Sequence, residues 1–269
     1  MTNRKVDIMS YYSEIVYWKY NYLERRINKN EKKEKVMVVS PHFDDAILSC
    51  GGMLCSDEWF DSEISVINVF TEISQKKQKM SDVIAEYVSE DLAISKSKVN
   101  LDMCERWIAT RRKEELFATK TLGIKSFDLG YKDAIFRMVN DKFIYDTEEK
   151  LFLGQVRENV LLEQLVHQFI DICKNYSICY FPAGIGNHPD HIILHLIGKK
   201  IQCNHPSVRF YCEIPYSKDR KEEGKMYEIN EVNYERKIRA VCEYKTQINW
   251  LLKNEKNIEK IIPRYEMYY

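Results

Sequence analysis

Short apolar runs that stop at proline, glycine or an acidic residue recur along the chain, separated by stretches with apolar residues every three to four positions. Val36-Met37-Val38-Val39-Ser40 follows a lysine-rich approach and ends at Pro41, the pattern of a strand buried on both faces. Residues 64–70 repeat it, and 126–129, 178–181 and 208–211 read as later strands. Between them, 110–122 and 155–173 carry helical periodicity. In the second, Val156, Val160, Leu162, Val166, Phe169 and Ile170 form one predicted apolar face. Strand-helix alternation predicts an α/β, Rossmann-like fold, with a mainly parallel sheet and helices on both faces.

Two stretches interrupt the alternation. Residues 74–103 are polar, lysine-rich and too long for an ordinary connection, and predict an irregular surface excursion of the kind that walls a binding site. Residues 217–225 are a charge run that predicts a solvated loop, with a helical extension following towards the C-terminus. Neither breaks the chain into separate cores, so 1–269 is expected to be one domain.

The 41 basic and 41 acidic residues cancel, removing the positive field that sequence-independent phosphate binding requires. Nucleic acid is not an expected partner. No run of roughly 18 apolar residues exists for a membrane span, and the first residues lack the apolar core of a signal peptide, which predicts a cytoplasmic protein. The eight cysteines never fall at C-x-x-C spacing and read as buried thiols in a reducing compartment.

Candidate chemistry sits just past two predicted strands. After the first comes Ser40-Pro41-His42-Phe43-Asp44-Asp45-Ala46, running on to Cys50-Gly51-Gly52; after the fourth comes Gly184-Ile185-Gly186-Asn187-His188-Pro189-Asp190-His191. Carboxyl ends of parallel strands face the ligand crevice, so the two His/Asp clusters are placed to converge. A catalytic zinc takes about three N or O ligands and leaves a position open, and His42, Asp45 and one of His188 or His191 would suffice. Taken singly, each residue has a plainer reading: a histidine after a strand packs, and Asp44 or Asp45 caps the helix that follows.

Pro41-His42-Phe43-Asp44-Asp45 and His188-Pro189-Asp190-His191 resemble the two signature motifs of the LmbE/PIG-L family of zinc-dependent N-deacetylases. Arg111, Glu114 and Leu122-Gly123, then Leu129-Gly130-Tyr131-Lys132-Asp133, Glu213-Ile214-Pro215-Tyr216 and Tyr244-Lys245-Thr246-Gln247, extend the likeness over about 36–250. The resemblance implies that His42, Asp45 and His191 bind Zn2+ and that Asp44 is the general base. It makes a protonated His188 the stabiliser of the tetrahedral oxyanion, with Asp190 orienting a histidine. It implies hydrolysis of the N-acetyl group of a small aminosugar compound, and among family members it points to those acting on N-acetylparomamine-type antibiotic intermediates. Asp133 and Arg111 are then expected to hold sugar hydroxyls, although Arg111 with Glu114 three residues on also reads as a helix-surface ion pair. His195, four residues after His191, is expected to pack or to support a ligand rather than to bind metal.

Two departures from the family pattern stand out. Many members carry Glu where this chain has Ala46, and some carry a Tyr two residues before the first His of the second motif, where this chain has Gly186. They motivate an alternative, a metal-free sugar-binding protein on the same fold.

Overall fold

The computed structural model describes residues 33–73, 80–205, 207–217, 224–252 and 257–269. Glu34–Tyr269 forms one compact unit. In chain order its strands are β1 (Lys35–Ser40), β2 (Glu63–Glu72), β3 (Lys125–Lys132), β4 (Met138–Val139), β5 (Lys142–Phe143), β6 (Ile178–Pro182), β7 (Val208–Tyr211), β8 (Lys225–Glu228) and β9 (Tyr265–Tyr268). Its α-helices are α1 (Asp45–Leu54), α2 (Asp82–Asp91), α3 (Leu101–Leu122), α4 (Glu148–Leu151), α5 (Asn159–Cys173), α6 (Pro189–Gln202), α7 (Glu231–Val241), α8 (Lys245–Leu251) and α9 (Ile258–Ile261).

Seven strands form one sheet in the order β3-β2-β1-β6-β7-β9-β8. The first five pair in parallel, and β9 and β8 close the edge antiparallel. The apolar run of β1 explains its central place. Val36 and Val38 enter the core under α1, whereas Met37 and Val39 enter the opposite core under α5 and α6. All four are fully buried, as a strand covered on both faces requires. The chain winds outward from β1 to β3 in one direction and from β6 to β7 in the other, so the sheet's switch point lies between β1 and β6.

The five expected strands are all present, and α3 and α5 occupy the expected helical stretches. Helix α3 begins nine residues before the expected 110, where Asn100 accepts the Met103 amide and caps it, and it ends at Gly123 in the left-handed conformation. The face assigned to α5 is corrected in part: Val166 and Phe169 are buried as expected, but Val160 and Ile170 are 73% and 40% exposed, and Leu165 and Cys173 are buried in their place.

Residues 80–103 are not an irregular excursion. Ser81 caps α2 by accepting the Ile84 amide, and Val83, Ile84 and Val88 pack with Trp107, Ile108, Ile135 and Phe136 in a third core cluster. The lysines around this short amphipathic helix obscured its period. Residues 74–79 of that stretch, 218–223 of the charge run and the first 32 residues lie outside the described residues. The C-terminal part is helical as expected, but it also returns to the sheet through β8 and β9. Of the eight cysteines, all free, six are buried and Cys203 and Cys242 are exposed. Among the described residues no helix is long and apolar enough to cross a membrane.

Candidate metal centre and active site

The His and Asp residues of the two motifs, Asp133 and Glu213 all follow the carboxyl ends of strands. β1 leads into His42, Asp44 and Asp45; β3 into Asp133; β6 into His188, Asp190 and His191; and β7 into Glu213. Because β1 and β6 are neighbours at the switch point, two motifs 146 positions apart, counted from His42 to His188, meet over the same end of the sheet. His42, Asp45 and His191 each offer a ligand atom, all within 4.8 Å of one another. His42, Asp133, His188 and Asp190 form a second, overlapping group on the same criterion.

The ring orientations separate the two groups. His42 turns Nδ1 towards Asp45 Oδ2 at 3.2 Å, and its Nε2 lies 3.0 Å from Asp190 Oδ2. His191 turns Nε2 towards Asp45 Oδ2 at 3.5 Å, and its Nδ1 lies 3.2 Å from Glu213 Oε1. Each histidine therefore lies between Asp45 and a second buried carboxylate, which can take its N–H when the nitrogen facing Asp45 gives its lone pair to a metal ion. Carboxylates behind histidines in this way fix the tautomer and the ring of a metal ligand. Asp190 is itself held by the Ala134 amide at 3.0 Å and by an ion pair with Arg137, which also pairs with Glu158 at 3.1 Å. Glu213 accepts the amides of Ala183, Gly184 and Ile185 at 2.8–3.2 Å. Two imidazoles and a carboxylate with this support, in a buried pocket that leaves room on one side, could hold a divalent metal ion.

The adjacent carboxyls differ electrostatically. Burial alone would raise the pKa of Asp45, but His191 and His42 outweigh it and hold the group down at about 2. Burial raises Asp44 well above the ordinary carboxylate range, and Arg111, 3.6 Å away, offsets this only in part. Neighbouring carboxyls driven apart in this way are the usual signature of distinct roles. His188 is pushed well below its ordinary value by burial, with His42, His191 and Arg137 adding to the effect, so its imidazole is neutral. Its Nδ1 accepts the Asp190 amide at 3.3 Å, which puts the proton on Nε2. Both features favour a neutral His188 over the protonated one that the resemblance implies.

The capping reading of Asp44 also falls. It stands at the N-cap of α1, yet its side chain makes no cap bond and its backbone sits at φ 99°, ψ −40°. Strain of this kind costs about 1–3 kcal/mol and persists only where the surroundings impose it. Arg111 is not in a surface ion pair with Glu114. It is buried, donates to Phe43 O at 3.1 Å and lies 5.0 Å from the Trp107 ring, while Glu114 receives the amide and hydroxyl of Thr246. Asp133 is buried on the cavity wall, its Oδ2 3.7 Å from His42 Nε2. His195 packs against Phe210 and stays out of the metal group, consistent with its expected packing role.

Both departures have local causes. Ala46 is a core methyl in α1, with its amide bonded to Ser40. Gly186 has φ 90°, and a Cβ there would sit 2.6 Å from the Tyr216 ring, which fills the space and lines the cavity. From sequence, Glu213 entered only as part of a family-like segment, without a role, and Arg137 was not singled out. A carboxylate closing the apolar run Phe210-Tyr211-Cys212 was the available signal, since a buried carboxylate needs donors; Arg137 had none.

The cavity is lined by Asp44, Asp45, Glu90, Asp91 and Asp133 against Arg111, with Tyr87, Trp107, Phe152 and Tyr216 supplying flat faces. Residues 37–202 match the PIG-L family, described as GlcNAc-PI de-N-acetylase. The chain is 31% identical to a 2'-N-acetylparomamine deacetylase of Niallia circulans over 84% of its own length and 85% of the relative's. It is 25% identical to a 2'-N-acetylparomamine deacetylase of Streptomyces fradiae over 73% of this chain and 63% of that one. The fold matches the crystal structure of the zinc-inhibited form of a teicoplanin deacetylase with a TM-score of 0.71, at 18% identity, covering 87% of this chain and 96% of that one. With a family match across most of the unit and a relative above 30% identity along its length, the chain belongs to the PIG-L de-N-acetylase family.

Proposed function

We propose that the protein hydrolyses the N-acetyl group of a 2'-N-acetylparomamine-type aminosugar, an antibiotic intermediate, with zinc held by His42 Nδ1, Asp45 and His191 Nε2. The observation that carries this is the pair of buried carboxylates, Asp190 and Glu213, behind two histidines that face one aspartate. Zinc supplies the Lewis acid that makes water nucleophilic at neutral pH and polarises the acyl oxygen.

The remaining steps belong to the chain. Asp44, beside the metal group but outside it, takes the proton of the attacking water and returns it to the departing amine. His188 donates its Nε2–H to the acyl oxygen as negative charge develops there, worth about 3–4 kcal/mol for a well-placed donor. A neutral donor does this without a proton transfer, and a dication nearby only reinforces its neutrality. Asp133 and Arg111 hold sugar hydroxyls on the cavity wall. The excess of carboxylates over cations suits a substrate that carries further protonated amines, and the aromatic faces suit sugar rings. On this reading Glu34–Tyr269 acts as one catalytic domain in the cytoplasm, where its thiols stay reduced.

The test is direct. Protein purified without chelator is expected to carry about one zinc per chain and to release acetate from 2'-N-acetylparomamine, and chelation abolishes release until zinc is returned. Protein that carries no metal and binds the sugar without turnover supports the metal-free alternative. Glu213→Gln is expected to weaken zinc binding by about tenfold, because the amide loses the charge that polarises His191. Titration of the apoprotein against a competing chelator measures it, and unchanged affinity removes Glu213 from the metal site.

A further inference from the structure

The cavity wall carries a carboxylate that the proposed reaction does not use. Asp91 closes α2 and lines the cavity together with Tyr87, one turn earlier on the same helix. The Trp107 indole N–H, on α3, donates to Asp91 Oδ2 at 2.6 Å, and the Gln247 carboxamide, on α8, donates to the same oxygen at 2.7 Å. Trp107 is 1% exposed, so its end of the clamp cannot swing away. Three helices thus fix one carboxylate, and both bonds end on Oδ2 and leave Oδ1 to another donor.

The two donors are neutral, so they orient the charge of Asp91 without cancelling it. Arg111, the guanidinium of this wall, stands against Asp44 at 3.6 Å. Burial raises the Asp91 carboxyl above its ordinary value, and Arg111 and the two donors offset this only in part. A cation that arrives with a ligand would stabilise the charged form. The place of Asp91 along the wall says which part of a ligand that is. From Asp44 at the reacting end, the wall runs to Arg111, whose guanidinium lies 5.0 Å from the Trp107 ring, and from Trp107 to Asp91. Two side chains therefore separate Asp91 from the general base.

Resting on the deacetylase reading, we infer that Asp91 is a specificity-determining residue, which receives a protonated amine on the ring of the substrate that is not deacetylated. 2'-N-acetylparomamine joins its acetylated sugar to a second ring that carries free amines, whereas N-acetylglucosamine has the first ring alone. With the amide beside His42, Asp45 and His191, the second ring extends along the wall past Arg111 and Trp107. Asp91 Oδ1 then accepts a charge-assisted hydrogen bond from the ammonium group, and Tyr87 offers the ring a flat face. The contact is made equally in the bound substrate and in the transition state, so its loss falls on KM and spares kcat.

The experiment uses the zinc-loaded full-length chain, with acetate release from 2'-N-acetylparomamine and from N-acetylglucosamine measured side by side. In Asp91→Asn the amide oxygen can take both bonds from Trp107 and Gln247, which leaves the NH2 where the ammonium would sit. KM for 2'-N-acetylparomamine is expected to rise by about 10–100-fold, the worth of a hydrogen bond between charged groups, at wild-type kcat and zinc content. The preference for 2'-N-acetylparomamine over N-acetylglucosamine in kcat/KM is expected to fall by the same factor. A carboxylate that only ties the three helices together would leave KM unchanged, because asparagine keeps both ties. Should Asp91→Asn not fold, Gln247→Leu leaves the charge and removes one of the donors that orient it, and the same KM is expected to rise about two- to tenfold. A folded Asp91→Asn with wild-type KM, an equal loss of kcat/KM on both substrates, or an unchanged KM in Gln247→Leu where that variant stands in overturns the inference alone. Absence of acetate release by the wild type overturns the deacetylase reading as well.

Discussion

Asp44→Asn is expected to lower kcat for acetate release by about 10²–10⁴-fold while the protein stays folded and keeps its zinc. The substitution is nearly isosteric, and asparagine enters positive-φ backbone more readily than most residues, so the strained turn at φ 99° survives. Arg111, 3.6 Å from the carboxylate, can stay beside the amide oxygen as well. What is lost is a site for the proton of the attacking water. Asp44 stands outside the group formed by His42, Asp45 and His191, so zinc content measured on the same preparation should match the wild type. Turnover that persists with full zinc occupancy removes Asp44 from the mechanism; loss of zinc together with turnover makes Asp44 a ligand instead.

The contrast between Asp44 and Asp45 shows what sequence alone could and could not supply. The apolar run of β1 ending at Pro41, and a second such run before His188, were enough to put two His/Asp clusters at strand ends. Their meeting depends on β1 lying beside β6, which strand-helix alternation makes natural. Roles within the clusters depend on contacts across the sheet. Asp190 reaches His42 and Arg137, and Glu213 reaches His191, over separations that leave no local spacing to read. The period of α2 was not visible in the sequence, because three buried apolar residues in a ten-residue helix compete with flanking lysines. Strands β8 and β9 are four residues each, and β9 mixes tyrosines with Glu266, whose carboxylate is buried against Lys237 and the Gly52 and Met53 amides. A buried ion pair is invisible until both partners are placed.

Asp190→Asn is expected to do two separable things. The first concerns stability. Asp190 is fully buried and ion-paired to Arg137, so neutralising it leaves a buried guanidinium with Glu158 alone, and removing one partner of a buried pair costs about 3–5 kcal/mol. For a domain of this size that lowers Tm by about 6–20 °C. The second concerns His42. Arg137 requires an oxygen at the Oδ1 position, which forces the new amide NH2 to the Oδ2 position, against the Ala134 amide and His42 Nε2. His42 must then accept at Nε2 and carry its proton on Nδ1, the nitrogen that faces Asp45. The opposite flip keeps the tautomer but sets the NH2 against the guanidinium. Either arrangement costs zinc affinity, and about 100-fold is expected, the upper end for a residue that orients a metal ligand. Competition titration of the apoprotein reads the affinity and thermal unfolding reads the stability, each without reference to turnover. A variant that melts early yet binds zinc as tightly as the wild type makes Asp190 an anchor for Arg137 and nothing more.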